Sequence, residues 1–582
     1  MSLYKDASLV MIPSAYKDGK LYSIRPTDGS GDFTFSRGSN LAATRVDVNG
    51  LIEKGRENLL LQSNQFDTTW GNANSTDTGG QQGYDGSNNA WLIQSTNTDG
   101  RIEQSTSYGS GVRTFSVYAK AGTSGLIRVR MQGGANAFAD FDLDNGVVDF
   151  VDNDVINAVI TSVGNGWYRC SINTNDTNTK VYLYVMGASG LNLYIQDAQL
   201  EQGLVATDYI ETGASTAQAG ILEDMPRLDY SGGASCPALL LEPQRTNLVT
   251  NSEYFAGYNL NDCSVTSNAG VSPDGLNNAT KHYDGTGSGG HYISSIGQLF
   301  LANTNIRNTS VFVKAGTLDY VQIRLVNVTG NFAYYLVNVN LNDGSVTESA
   351  AGNTTNTSNN VEDYGNGWYR ITLACSFTST SVTSSGMQIF TAKNNSHSYV
   401  GTGTDYIHIY GAQHETGSYS TSYIPTYGTS QTRSGDDFVL NLATDIVQNG
   451  GTFMIELEGA PRGAGTSTPF IQFNHTNSAS YVGFGATGNW RCRINDNGTA
   501  HLTTSPIPHT DNAKLCIRYG DFGYEYYANG SSFDTYGNAI ELGDFSNISF
   551  SPNDVYGILR VKQFLTFPTA LTDSECIALT TI

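Results

Sequence analysis

The feature that most constrains this chain is a long internal repeat. The stretch Glu53-Lys-Gly-Arg56-Glu-Asn58-Leu59, running on to Phe66, returns as Glu242-Pro-Gln-Arg245-Thr-Asn247-Leu248, running on to Phe255. DGSNNA at Asp85 to Ala90 returns as DGLNNA at Asp274 to Ala279 with the same spacing. SVYAKAG (Ser116 to Gly122) matches SVFVKAG (Ser310 to Gly316), and GNGWYR stands unchanged at Gly164 to Arg169 and Gly365 to Arg370. IQDAQLEQG from Ile195 matches IYGAQHETG from Ile409. The order of landmarks is kept while the spacing widens, so the second copy has gained short insertions, as loops do. Each copy is far longer than a solenoid unit, which makes the two copies whole domains in series. Their limits are read as residues 58–215 and 247–430, with 216–246 as a linker.

Within each copy the pattern is that of strands. TFSVYAKAG, LIRVRMQ, VYLYVMG and LYIQDAQL alternate apolar and polar residues between clusters of Gly, Asn and Asp. Asp144-Asn145-Gly146 and Asn342-Asp343-Gly344 supply matching tight turns. Short strands with two apolar faces pack most simply as a jelly-roll sandwich. A third β module follows over 436–582, through Thr452-Phe-Met-Ile-Glu-Leu, Tyr481-Val-Gly-Phe and Leu515-Cys-Ile-Arg-Tyr. After a last strand from Ile558, Thr572 and Glu575 have the spacing of a capping box and predict a short helix. The fold class is therefore all-β: two tandem jelly-roll β-sandwiches and a third β-sandwich. Residues 1–57 are too short for a core of their own, yet Leu9 to Ile12, Tyr16, Tyr22, Phe33 and Phe35 need a partner surface, which predicts an N-terminal anchoring arm.

Composition excludes several classes. At 582 residues the chain should hold about three to five domains. A net charge of −22 and a pI near 4.6 repel phosphate backbones, so nucleic acid is no partner. The seven cysteines are scattered without a CxxC pair, so no disulfide framework is implied. Leu9 to Ile12 is the one apolar run near the start and is too short for a signal-peptide core or a membrane span. No membrane insertion is expected, and the chain should fold in a cytoplasm. The eight histidines form no HExxH, and no GxSxG or phosphate-cradling glycine loop is present, so a non-enzyme is expected.

Several segments resemble known families. LRVKQFLTFPTALTDSECIAL, from Leu559 to Leu579, resembles the closing strand and helix of concanavalin A-like and laminin-G domains. The GNGWYR strand, the AQxExG strand and the exit Tyr423-Ile424-Pro425-Thr426 resemble carbohydrate-binding-module jelly rolls of phage head and tail fibres. The first copy keeps Tyr209-Ile210-Glu211-Thr212 without the proline. FTFSRGSNLAATRVDVNG from Phe33 is similar to phage structural proteins that precede such modules. The resemblance implies a bacteriophage virion protein, assembled in the host cytoplasm and exposed on the particle. It would attach to host-surface glycans, join other virion proteins through residues 1–57, and form a homo-oligomer. A capsid decoration or head fibre without sugar binding is the alternative, and a glycan-cleaving enzyme the minor reading.

Candidate sites follow from the residue types. Trp490, Tyr524, Tyr527 and Trp91 are the aromatics read as carbohydrate-stacking surfaces, with Trp91 replaced by Thr280 in the second copy. Trp167 and Trp368, inside GNGWYR, read as core, and Arg169 and Arg370 as partners of structural carboxylates. Asp85 and Asp274 in DGxNNA are candidate metal ligands, since jelly rolls of this resemblance carry a structural calcium, although an Asx turn explains them equally.

Overall fold

The structure is a computed structural model. It describes residues 3–38, 41–98, 100–295, 305–327, 333–378, 385–441, 450–459, 471–475, 481–496, 498–540, 542, 545–550 and 557–582. The alternating runs form antiparallel strands, and Gly146 (φ 67°) and Gly344 (φ 72°) close the two DNG-type turns in the left-handed region.

The two repeats share one strand order. One layer of the first repeat runs Gly71–Ala73, 100–105, 180–185, Leu126–Gln132, Asn136–Asp142, Val147–Val151. The second repeat answers with Asn259–Asn261, Tyr292–Ser294, Ser385–Ala392, Tyr320–Asn327, Ala333–Asn340, Val346–Ala351. The opposite layers agree in the same way, from Ser75–Gln81 to Asn157–Gly164 and from Cys263–Thr266 to Thr354–Asp363. They differ in continuity. Gly100–Ala121 and Trp167–Val185 are long enough to pass from one layer into the other, giving one 10-stranded sheet folded on itself, whereas the second repeat has two separate 6-stranded sheets. Trp167 and Trp368 are 2% and 3% exposed, at equivalent places in the register.

The repeated motifs fasten each sandwich. The side chain of Asn58 donates to the carbonyls of Ala198 (3.1 Å) and Ile210 (2.8 Å), and that of Asn247 donates to Ala412 (3.2 Å) and Ile424 (2.8 Å). Gln199 and Gln413 each accept the backbone N–H of that isoleucine at 2.7 Å. Glu201 and Glu415 take the N–H of Thr207 and Thr421, both at 2.9 Å. Lead-in, last strand and exit are thus held by buried, fully paired side chains. Arg169 and Arg370 donate to Ser116 and Ser310 (both 3.1 Å), and the Arg169 charge also favours the buried Glu201 carboxylate, the kind of partner expected from sequence.

The N-terminal residues are no free arm. Leu9–Met11 pairs with Leu559–Phe567, and Phe33–Ser36 pairs with Asp437–Asn441. The segment read as a linker also supplies strands: Ala238–Leu241 lies between Arg227–Asp229 and Leu559–Phe567. Among the described residues the C-terminal sandwich is therefore an 8-stranded sheet against a 9-stranded one, built from three separated parts of the chain. Leu9, Met11, Phe33, Phe35, Leu239 and Leu241 share one core with Phe453 and Phe564. Phe33 stacks on Phe438 at 4.5 Å and 8°. Of the apolar side chains that needed a partner surface, all but Tyr22, which stays 38% exposed, found it inside the chain. The closing helix, Asp573–Thr580, carries the capping box at Thr572 and Glu575.

A buried ionic hub joins these parts. Asp436 contacts Arg37 (3.2 Å) and Arg227, and Glu242 contacts Arg227 and Arg433, both at 2.6 Å. All five side chains are essentially without solvent contact. Burial works against the Glu242 charge, yet Arg433 and Arg227 outweigh it and hold that carboxyl far below the ordinary range.

Candidate functional site

The structure separates the expected site residues. Trp490 is fully buried with Cys492 and Ile494, and its indole N–H donates to the Asp511 carbonyl at 2.9 Å. Tyr527 is fully buried on the opposite face of its sheet, against Cys576 and Leu579 of the closing helix, and donates to Asp573 at 2.9 Å. Tyr524 is 6% exposed and stacks between Tyr526 (4.5 Å) and Tyr536 (5.4 Å). None of the three offers a ring face to a sugar, which corrects the reading of Trp490, Tyr524 and Tyr527 as stacking surfaces. The reason is strand alternation: Trp490, Cys492 and Ile494 point inward while Arg491 and Arg493 point outward.

Asp274 is taken by a cation the chain itself provides. The Lys54 ammonium, on strand Ile52–Lys54, lies 2.7 Å from Asp274 and 2.9 Å from Glu253, and donates to the Tyr410 hydroxyl at 2.9 Å. Burial opposes the charge on Asp274, but Lys54 overrides it and holds the carboxyl down to about 2. The expectation of a metal at Asp274 is corrected on this ground. Asp85 is exposed, and its carboxylate accepts the N–H (3.0 Å) and hydroxyl (2.7 Å) of Ser87 in an Asx turn. Among the described residues no three His, Cys, Asp or Glu side chains are grouped as metal ligands.

Trp91 is the expected aromatic that stays accessible. Strand Ala90–Ser95 places it half-buried against Phe66, ring to ring at 6.2 Å and 83°. Its indole N–H donates to the Asn64 carbonyl at 3.0 Å, which fixes the ring. Gly79 lies over the six-membered ring, where a Cβ would come within 3.2 Å. The ring walls an open cleft of about 540 Å³, lined also by Gln62, Asn64, Gln65, Asn88, Asn89 and Glu211. A fixed indole beside amides and a carboxylate can pack an apolar sugar face and pair with hydroxyls.

In the second repeat the ring is gone, and Glu253, Asp274, Asn278 and Tyr427 line, together with Lys54, a cleft of about 410 Å³. Register puts the buried Thr280 where the first repeat has Trp91, since both face Ile195 or Ile409 in the last strand. Glu253 stands for Asn64 and Tyr427 for Gly213, and both contact Lys54 or each other: the Tyr427 hydroxyl donates to Glu253 at 3.3 Å. Beneath the open cleft of the first repeat, Asp197 (φ 52°) is 6% exposed and accepts from the Tyr84 hydroxyl at 2.9 Å. Burial, helped by Asp85 and Glu211, pushes its carboxyl up to about 6. Sequence pairing of the two repeats singles out Trp91, but the amides around it come from two separate segments, Gln62 to Gln65 and Asn88 with Asn89.

Strand pairing and burial together define an all-β protein of two tandem β-sandwiches followed by a third β-sandwich. No family model and no curated protein matches the sequence. Solved structures are similar in part. The CBM22-1–CBM22-2 tandem domain of Paenibacillus barcinonensis Xyn10C is 13% identical, with 64% of this chain and 99% of that chain covered and a TM-score of 0.19. The CBM40 of the Ruminococcus gnavus IT-sialidase, bound to α2,3-sialyllactose, is 12% identical over 23% of this chain and 84% of that chain, with a TM-score of 0.20. Domains LG4-5 of the mouse laminin α1 chain are 9% identical over 49% and 89%, with a TM-score of 0.18.

Proposed function

We propose that this chain is an attachment protein on the surface of a bacteriophage particle, and that its first sandwich binds host-surface glycans in the Trp91 cleft. The phage assignment is supported by the fibre-type motifs of the two repeats and the Phe33 to Gly50 stretch. The glycan reading is carried by one observation: a fixed Trp91 ring walls an open cleft in the first repeat, where the second repeat has the buried Thr280. A sandwich folds without that ring, so Trp91 is free to serve a ligand. In this reading the protein binds and releases glycan without a chemical step. One Trp91 cleft per chain gives weak attachment, so several copies on a particle are required, and avidity raises binding by about 10²- to 10⁴-fold where geometry allows. Leu9–Met11 and Phe33–Ser36 are paired into the C-terminal sandwich, so any contact of this segment with other virion proteins is made from its exposed side chains rather than by a free arm.

The test uses the full chain on a glycan array, with Trp91→Thr as the variant, because threonine is what the second repeat tolerates at that place. A loss of roughly two- to twelvefold in affinity is expected, from the worth of about 0.5–1.5 kcal/mol for one aromatic contact, with the melting temperature nearly unchanged. Binding equal to the parent chain removes the cleft from the reading. No glycan bound by either protein leaves the chain as a structural decoration of the particle.

A further inference from the structure

The first sandwich carries a second surface, on the layer opposite Trp91, whose side chains the fold does not use. Ile102, Val129, Ala139 and Leu183 point into the core, so their strand neighbours face outward. Two adjacent rows then cross the sheet. One runs Arg101, Tyr184, Arg128, Asp140, Phe150, and the other Glu103, Tyr182, Arg130, Phe138.

Cations lie flat on the rings of these rows. The Arg101 guanidinium sits 5.7 Å and 5.5 Å from the ring centres of Tyr182 and Tyr184, Arg130 sits 4.9 Å from Tyr182, and Arg128 sits 4.1 Å from Phe138. Lys180 adds a fourth charge 5.9 Å from Tyr182. The tyrosines are consequently only 6% and 8% exposed, and the face presents N–H donors rather than bare rings. Two carboxylates hold the outer cations: Glu103 takes Lys180 (2.8 Å) and Arg101 (3.0 Å), and Asp140 takes Arg128 (2.6 Å). Arg130 sits between them on neutral partners, donating to the Tyr184 hydroxyl at 2.9 Å and to the Asn136 side chain at 2.8 Å.

Four cations against the three carboxylates of Glu103, Asp140 and Asp142 leave this face slightly positive in a chain whose net charge is −22. The second repeat provides an internal control. At the matching register Arg128, Asp140 and Tyr182 become Gln322, Asn338 and Gln388, and only Arg324 remains charged. The fold therefore does not require the charges. Guanidiniums already ordered by stacking lose little further freedom when they take an anion, and the planar fork of Arg130 matches a carboxylate.

We infer that this face is a second carbohydrate site, selective for acidic polysaccharides whose uronic-acid carboxylates pair with Arg130. Arg101 and Lys180 flank the bound anion, and Phe150, 48% exposed and stacked on Phe138 at 5.5 Å, receives an adjoining sugar ring. The site stands apart from the Trp91 cleft and does not depend on it.

Affinity electrophoresis of the full chain through polygalacturonate and alginate, each beside its carboxyl-reduced form, tests the inference. Retardation is expected in at least one native polymer, with loss on carboxyl reduction and weakening as salt rises. Arg130→Gln should reduce the effect at least about tenfold, from the worth of hydrogen bonds to charged groups, and Arg130→Lys should restore part of it. Trp91→Thr should leave it unchanged. If Arg130→Gln unfolds the sandwich, Lys180→Gln at the exposed end serves in its place, and a reduced effect is again expected. Equal retardation by native and reduced polymers, none by either native polymer, or no response to the variants that fold overturns the inference.

Discussion

Asp197 shows how one residue can record the tension between fold and solvent. Its carboxyl titrates near 6 in the folded chain, first because it is buried and then because Asp85 and Glu211 are close. An acid whose folded value exceeds its ordinary value of 3.8 binds its proton more tightly folded than unfolded, so this group favours folding at low pH. Stability should fall as pH rises from about 4 to about 6, by on the order of 3 kcal/mol in full. Asp197→Asn keeps an acceptor for Tyr84, and asparagine takes the positive φ readily. The variant should melt higher than the parent at pH 8 and show a flatter slope between pH 4 and 6. Parallel melting curves across that range would falsify the assignment. At the same scale Trp490 shows what its strand already spelled out: Trp490, Cys492 and Ile494 alternate with Arg491 and Arg493, so its burial was readable while the nearby arginines drew attention to a surface. Trp91, by contrast, was legible only by comparison with Thr280.

At the scale of elements, the repeats were readable because alternation, DNG turns and capping boxes are local. The N-terminal strands were not. Ser8 bonds the carbonyl of Thr566 at 2.9 Å through its backbone, a pairing across nearly the whole chain that leaves no local trace. Removing residues 1–36 strips Leu9–Met11 from Leu559–Phe567 and Phe33–Ser36 from Asp437–Asn441, exposing two sheet edges and a slice of core. The truncated chain should lose the protected C-terminal fragment in limited proteolysis, whereas an arm would be clipped without consequence. A C-terminal sandwich that stays resistant after truncation contradicts this account.

For the whole molecule the ionic hub is decisive. Arg37, Arg227, Glu242, Arg433 and Asp436 bring together the N-terminal segment, both inter-domain segments and the start of the last module. Glu242→Gln leaves buried guanidiniums short of a counter-charge, at a cost of about 3–5 kcal/mol. Calorimetry of that variant should show the main transition itself shifted down, because the hub belongs to several domains at once. A shift confined to one of several separate transitions would show that the domains unfold independently.

The sequence by itself determined the all-β class, the duplication, the strand phase within each repeat and the short capped helix, since each depends on neighbours within a few residues. Only the tertiary structure decided that the N-terminal strands, the segment between the repeats and the last module share one sandwich, that Lys54 neutralises Asp274, and that cations cover one sheet face of the first repeat. These depend on which distant backbone edge is left unpaired and which buried charge lacks a partner, and both are settled by energies that arise only once the chain has closed on itself.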